Sequence, residues 1–198
     1  MKLPKDFKNL INEIEKLPGI GPKSALRLAL YLVESKDANP YALASALVSA
    51  KNNIKYCKFC GALSDDDVCD ICRSYDRDKT KICVVENIID MLAIERANFF
   101  DGLYHILGGV ISPLDDVTED NIRIRELIAR LDKVKEIIFS LPSSLEADAT
   151  FLVLKDQIHQ YNSNIKLTRV AIGLPVGANI DYADPLTLIR SFENRSNF

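Results

Sequence analysis

Hydrophobic residues open the chain at helical spacing. Phe7, Leu10, Ile11, Ile14 and Leu17 recur every three or four positions, with Lys8, Asn12, Glu13 and Lys16 on the other side. The spacing predicts an amphipathic helix that stops at Leu17-Pro-Gly-Ile-Gly-Pro22, because proline disfavours helix in the residue before it and glycine permits backbone shapes closed to other residues. Pro22 is a good first helical residue, and a second helix is expected through Val33. Asn39-Pro40 reads as an N-cap and first-turn proline of a third, with Leu43, Leu47, Ala50 and Ile54 expected inward. Past Asp76-Arg-Asp-Lys79, a charged turn-like link, the pattern changes. Apolar runs at Ile82–Glu86, Tyr104–Leu107, Glu136–Leu141 and Leu167–Ile172 alternate with helical patterns through Ile89–Ala97, Glu119–Leu131 and Ala147–Tyr161. That alternation predicts an α/β fold, a mainly parallel sheet flanked by helices, behind a helical N-terminal part. In such sheets function collects at the carboxyl ends of strands, where Glu86, Gly108-Gly109, Ser140–Asp148 and Gly173–Gly177 fall. A last short helix over Asp184–Arg195 places Leu186, Ile189 and Phe192 on one face.

Composition narrows the class. The chain has 198 residues, 47% apolar and 27% charged, the balance of a soluble globular protein, and no apolar run approaches membrane-spanning length. The net charge of -3 is unevenly distributed: residues 1–55 hold nine Lys/Arg against five Asp/Glu, an excess of four positive charges. A positive N-terminal part on an otherwise acidic protein points to a localised contact with a polyanion.

Four of the five cysteines form two Cys-x-x-Cys pairs, Cys57/Cys60 and Cys69/Cys72, separated by the eight residues Gly61–Val68. Two such knuckles can aim four thiolates at one point and complete a closed tetrahedral site suited to Zn2+. The intervening segment has too few apolar residues for a core, so metal binding would supply its folding energy. Four thiolates leave no open position, which makes one structural zinc per chain the expectation. The rival is two disulfides or four free thiols. Disulfides need an oxidising compartment, and Met1-Lys-Leu-Pro-Lys-Asp-Phe7 contains no apolar signal stretch.

Helix, Leu-Pro-Gly-Ile-Gly-Pro-Lys turn, helix resembles the helix-hairpin-helix DNA-binding motif. A Gly-x-Gly turn that opens a helix presents unpaired N–H groups at a positive dipole end, suited to a phosphate oxygen. Gly19 and Gly21 would supply that bend, and Lys23 and Arg27, one turn apart, would flank the phosphates. Such contacts carry no base information, so binding would be sequence-independent and salt-sensitive. The bland alternative is a tight connection in a helical bundle with a solvated charged face.

Other residues tempt without a matching constellation. His105 reads as a satisfied sheet histidine, His159 as an exposed helix residue and Cys83 as a small hydrophobe in a strand. No serine has an evident histidine and acid partner, and there is no phosphate loop of the Gly-x-x-x-x-Gly-Lys-Ser/Thr kind.

The order of a helix-hairpin-helix, a four-cysteine module and a sheet beginning Ile-Cys-Val-Val-Glu resembles the bacterial recombination mediator family RecR. The resemblance is carried by Leu17–Ser24, the four cysteines, Val84-Val-Glu86, Tyr104–Gly109, Ser112-Pro113, Thr168-Arg169, Gly173–Gly177 and Tyr182-Ala-Asp184. It implies a division into residues 1–55 (helix-hairpin-helix), 56–76 (four-cysteine zinc finger), 80–175 (Toprim domain) and 176–198 (a C-terminal segment contacting a neighbouring subunit). In catalytic Toprim domains one acid ends the first strand and an Asp-x-Asp ends a later one, holding Mg2+. Here Glu86 is present, whereas Pro142 and Ser144 stand where the aspartates would, so Mg2+ and catalysis are not expected. Glu146 and Asp148 lie nearby as degenerate acids or partner contacts, and Ala147 departs from the family's usual Glu-Gly, leaving that loop less free.

The resemblance further implies a ring-shaped homo-tetramer closed through both chain ends, the partners RecO and RecF, and single- and double-stranded DNA. Its setting would be the bacterial cytoplasm at the nucleoid, with no membrane. The leading expectation is a non-enzymatic DNA clamp and adaptor that helps load recombinase on single-stranded gaps. Alternatives are an Mg2+-dependent nuclease or topoisomerase-like enzyme at Glu86, Glu146 and Asp148, and a protein scaffold that touches DNA only through partners.

Overall fold

The computed structural model describes residues 2–195 of the chain, so the last three positions of the expected C-terminal segment lie outside the described residues. The chain divides into two compact units, Met1–Ile54 and Lys55–Phe198.

The first unit is helical. α1 (Lys5–Glu15) packs on α2 (Pro22–Glu34) through the small buried Ala25 and Ala29, which let the two backbones approach. α1 ends earlier than the hydrophobic pattern suggests, so Leu17 is exposed in the hairpin and its carbonyl accepts from Ile20 N–H at 3.1 Å. Asn39 caps α3 (Pro40–Asn53), its side-chain oxygen accepting from Ala42 N–H at 2.9 Å. The inward placement expected for Leu43, Leu47, Ala50 and Ile54 is not observed: α3 buries no residue, and all four are exposed. Its apolar positions ring the helix instead of forming one stripe, and the extensive packing of this unit is between α1 and α2.

The second unit opens with a small hairpin, β1 (Lys55–Tyr56) antiparallel to β2 (Leu63–Ser64), followed by α4 (Asp70–Arg73). Then come β3 (Asp78–Val85), α5 (Ile88–Arg96), β4 (Gly102–Ile106), α6 (Ile124–Ile128), β5 (Glu136–Ser140), α7 (Leu145–Tyr161), β6 (Lys166–Arg169) and α8 (Pro185–Glu193). The four long strands make one fully parallel sheet in the order β4-β3-β5-β6, with Val84 level with His105 on one side and Phe139 on the other. Central β3 is buried on both faces, as its continuous apolar run requires. Ile82 and Val84 join Ile137, Phe139, Leu154 and Ile158 on one face. Cys83 and Val85 join Met91, Tyr104, Ile106 and the cysteine knuckles on the other.

One expected helix is broken. Glu119–Leu131 contains a turn at Glu119–Asn121, an extended Ile122, then α6 and a further turn from Leu131. Ile122 and Ile124 are both buried, and two positions apart on an unbroken helix would point to opposite sides. Extending Ile122 buries both, and the reciprocal Thr118–Asn121 capping box closes the turn before it.

Candidate nucleic-acid interface and metal centre

The hairpin of the first unit is built by two glycines with different reasons. Gly19 has φ +79°, a left-handed conformation that is strained for residues with a side chain, so the turn requires it. Gly21 is the N-cap of α2 with φ -91° and ψ 172°, open to any residue, and a Cβ there would meet nothing within 4 Å. Neither conformation nor packing demands glycine at 21, and no side chain caps the helix start. The first N–H groups of α2 therefore face solvent without a carboxylate in the first turn. Lys23 and Arg27 are both exposed, and neither joins the ion pairs formed among the described residues.

In the second unit the two knuckles bring the sulfurs of Cys57, Cys60, Cys69 and Cys72 within 4.8 Å of one another, with Cys60 and Cys69 sulfurs 3.5 Å apart. Tight turns make this possible: Gly61 N–H donates to Cys57 O at 2.9 Å, and Gly61 holds φ +80°. A tetrahedron of Zn–S bonds of about 2.3 Å has edges of about 3.8 Å, which these spacings fit. Hydrogen bonds from Cys60 and Cys72 hold the Cys69 thiol far below its usual range, and the same charge, met through hydrogen bonds, pushes Cys60 up to about 12 and raises Cys72 as well. One thiolate among protonated neighbours is thus the metal-free arrangement, and all four can ionise together in so small a space only around a positive ion. When bound, zinc supplies a structural crosslink between the knuckles. Cys83 is apart from this group, buried in β3 and pushed up to about 12 by desolvation.

The first knuckle is fastened to the sheet by three consecutive carbonyls. Lys58 O accepts from Arg123 Nη2 at 3.4 Å, Phe59 O from Arg130 Nη1 at 3.3 Å, and Cys60 O from Ile106 N–H at 2.8 Å. β4 is an edge strand, so its outward N–H and C=O groups need partners, and the zinc module covers that edge. Arg130 also donates to Tyr104 O at 2.8 Å and His105 Nδ1 at 3.1 Å. His105 is fully buried and lies 2.7 Å from Arg123 O through Nε2, which must carry the proton because a carbonyl only accepts. Burial first, then the Arg130 charge, lowers its pKa to about 3. His105 is thus a neutral sheet residue, as its strand setting suggested, while His159 is exposed on α7. Arg123 and Arg130 were not singled out from the sequence: no spacing ties them to a knuckle some 70 positions earlier.

At the carboxyl ends of β3 and β5, Glu86, Asp90, Ser140 and Pro142 border a hollow of about 310 Å³. Burial and the neighbouring Asp90 raise the Glu86 carboxyl. Glu146 and Asp148 lie instead in the first turn of α7, and Asp148 pairs with Arg169 at 2.5 Å and Arg190 at 3.9 Å. The expected loop at Ala147 is helix: its Cβ is buried and its N–H donates to the Ser144 hydroxyl at 3.2 Å, so alanine costs no backbone freedom there. Among the described residues the three acids do not converge, and the one group of three or more metal-capable side chains is the cysteine set.

A glycine hairpin between helices, a four-cysteine module and a parallel sheet of the Toprim kind define one class of multidomain fold, and sequence comparison agrees part by part. Family models described as RecR, helix-hairpin-helix; RecR, four-cysteine zinc finger domain; Toprim domain; and RecR, C-terminal match residues 7–51, 54–74, 80–171 and 173–196. Recombination protein RecR of Synechococcus sp. (strain JA-3-3Ab) is 45% identical over 191 residues, 96% of each chain. That of Thermobifida fusca (strain YX) is 45% identical over 189 residues, 94% of each, and that of Cytophaga hutchinsonii 42% over 195 residues, 97% of this chain and 94% of the relative. The chain belongs to the RecR family of recombination proteins.

Proposed function

We propose that the chain is a non-enzymatic DNA clamp and adaptor of recombinational repair. The observation that carries this reading is the bare start of α2, with a glycine at 21 that the fold does not require and the exposed Lys23 and Arg27 beside it. An approaching phosphate oxygen meets the N–H groups of Gly19, Gly21 and Lys23, while the two cations flank the backbone. The grip is blind to base identity and takes single- and double-stranded DNA. Two cations per chain bind weakly alone, and a homo-tetrameric ring closed through both chain ends multiplies the contacts and slows dissociation. The exposed Leu43, Leu47 and Val48 of α3, and Leu186, Ile189 and Phe192 of α8, suit such closure. In this reading the clamp works with RecO and RecF to help load recombinase on single-stranded gaps, in the bacterial cytoplasm at the nucleoid. One structural zinc per chain braces the knuckles at Cys57, Cys60, Cys69 and Cys72, and Mg2+ has no role.

The test is DNA affinity against salt for the zinc-loaded protein. Lys23→Ala with Arg27→Ala should flatten the log–log salt slope by about 0.9 for each phosphate no longer gripped, with zinc content unchanged. A double variant binding like the parent at every salt concentration would overturn the hairpin assignment. The competing Mg2+-dependent enzyme has in its favour the Glu86 and Asp90 carboxylates sharing one hollow. Against it, Pro142 brings no side-chain oxygen and the Ser144 hydroxyl caps α7. Cleavage of nicked, supercoiled or single-stranded DNA with Mg2+ or Mn2+, abolished by Glu86→Gln, would promote it.

A further inference from the structure

Arg130 sits just before the turn that begins at Leu131, and its guanidinium reaches four acceptors. Tyr104 O lies at 2.8 Å, His105 Nδ1 at 3.1 Å, Phe59 O at 3.3 Å and Cys72 Sγ at 4.0 Å. The first two fix it in place. Tyr104 O is an outward acceptor of the edge strand, and His105 is held from turning by its own bond to Arg123 O at 2.7 Å. An arginine anchored in this way presents Nη2 to Cys72, the one cysteine of the four that is not fully buried.

We propose that Arg130 is the counter-charge of the metal–thiolate centre, a positioning residue whose guanidinium faces the Cys72 sulfur and slows loss of the metal. The inference rests on the reading that the four cysteines hold zinc. Four thiolates around a divalent ion leave two excess negative charges. A fixed guanidinium offsets part of that charge and occupies a sulfur lone pair at which a proton or a competing ligand would attack. Cys72 is where attack would begin, because the other three sulfurs are enclosed. The same side chain binds Phe59 O of the first knuckle, so one residue fastens both the charge and the fold of the module to β4.

The experiment follows zinc leaving the intact protein. Zinc content of the wild type is measured first, and a value well below one per chain would remove the site and the proposal with it. Zinc transfer to a chromogenic chelator is then timed for wild type, Arg130→Met and Arg73→Met. Arg73 pairs with Asp66 and Val68 O within the same module and touches no sulfur, so it controls for general loosening. Arg130→Met should release zinc about 10-fold faster or more. In Co2+-substituted protein it should also shift the thiolate charge-transfer band, and Arg73→Met should do neither. A wild-type rate with an unshifted band in Arg130→Met, or equal acceleration in Arg73→Met, overturns the proposal. Should Arg130→Met not fold, Arg130→Gln takes its place. It keeps a side-chain N–H donor for the neighbouring carbonyls but removes the charge, so faster release with a shifted band is expected, and wild-type behaviour in both readouts again overturns the inference.

Discussion

His105 is a basic side chain kept neutral, and that has a pH signature. Folded, its pKa lies at about 3; unfolded, it returns to about 6.5. Between those values the unfolded chain binds a proton that the folded chain refuses, so stability is full above about pH 6.5 and falls as pH falls toward 3. The slope approaches about 1.4 kcal/mol per pH unit. His105→Gln offers an amide in place of the ring and does not titrate. Urea-unfolding stability of both proteins at pH 7.5, 6.5 and 5.5 should show the wild-type advantage shrinking by about 1 kcal/mol over the lowest step, since the acid sensitivity of the thiolates is common to both and cancels. Parallel curves would refute the assignment of a neutral His105 in the folded protein. The sequence suggested a sheet histidine from its apolar neighbours Tyr104 and Ile106 alone. Its partners Arg123 and Arg130 were illegible, because the break at Ile122 that delivers them follows from two buried isoleucines competing for one face.

Elements were legible where a periodic apolar pattern meets a partner inside the chain. β3, β5 and α7 follow from such patterns, and Pro22 and Asn39 mark helix starts as capping chemistry dictates. α3 shows the limit, because periodicity counts apolar positions without saying what covers them. Leu43 and Leu47 are 46% and 63% exposed, and Phe192 of α8 is 71% exposed. If these faces close a ring, charging one of them should leave each subunit folded but divide the assembly. Leu43→Glu with Leu47→Glu should halve the native mass, and Phe192→Glu should halve it through the other end. Neither should shift the subunit's own unfolding by more than about 0.5 kcal/mol, the usual range for exposed positions. Native mass spectrometry with and without DNA reads the outcome, and an unchanged tetramer in both variants would rule out these faces as the contacts.

At the scale of the whole molecule, two units with separate cores should respond differently to loss of metal. The knuckles pack Ala62, Val68 and Ile71 into the cluster that holds Tyr104 and Ile106, and they also reach the sheet through Ile106 N–H on Cys60 O and the two arginines on Lys58 O and Phe59 O. Chelation under reducing conditions removes the crosslink that shapes those acceptors, so the β4 edge loses its cover and its outward groups meet water. The unit Met1–Ile54 draws its packing from α1 against α2, with no cysteine in it. Hydrogen exchange measured segment by segment should therefore speed up at residues 57–73 and at Ile106 after chelation. Residues 5–34 should keep their protection, and the slow amides of central β3 should fall less than those of edge β4, since β5 still pairs with β3 on its other side. Equal loss of protection in both units would mean that zinc organises the whole chain. Unchanged protection at Ile106 would mean that the knuckle keeps its form without the ion, and that the sulfur cluster contributes little to the architecture around it.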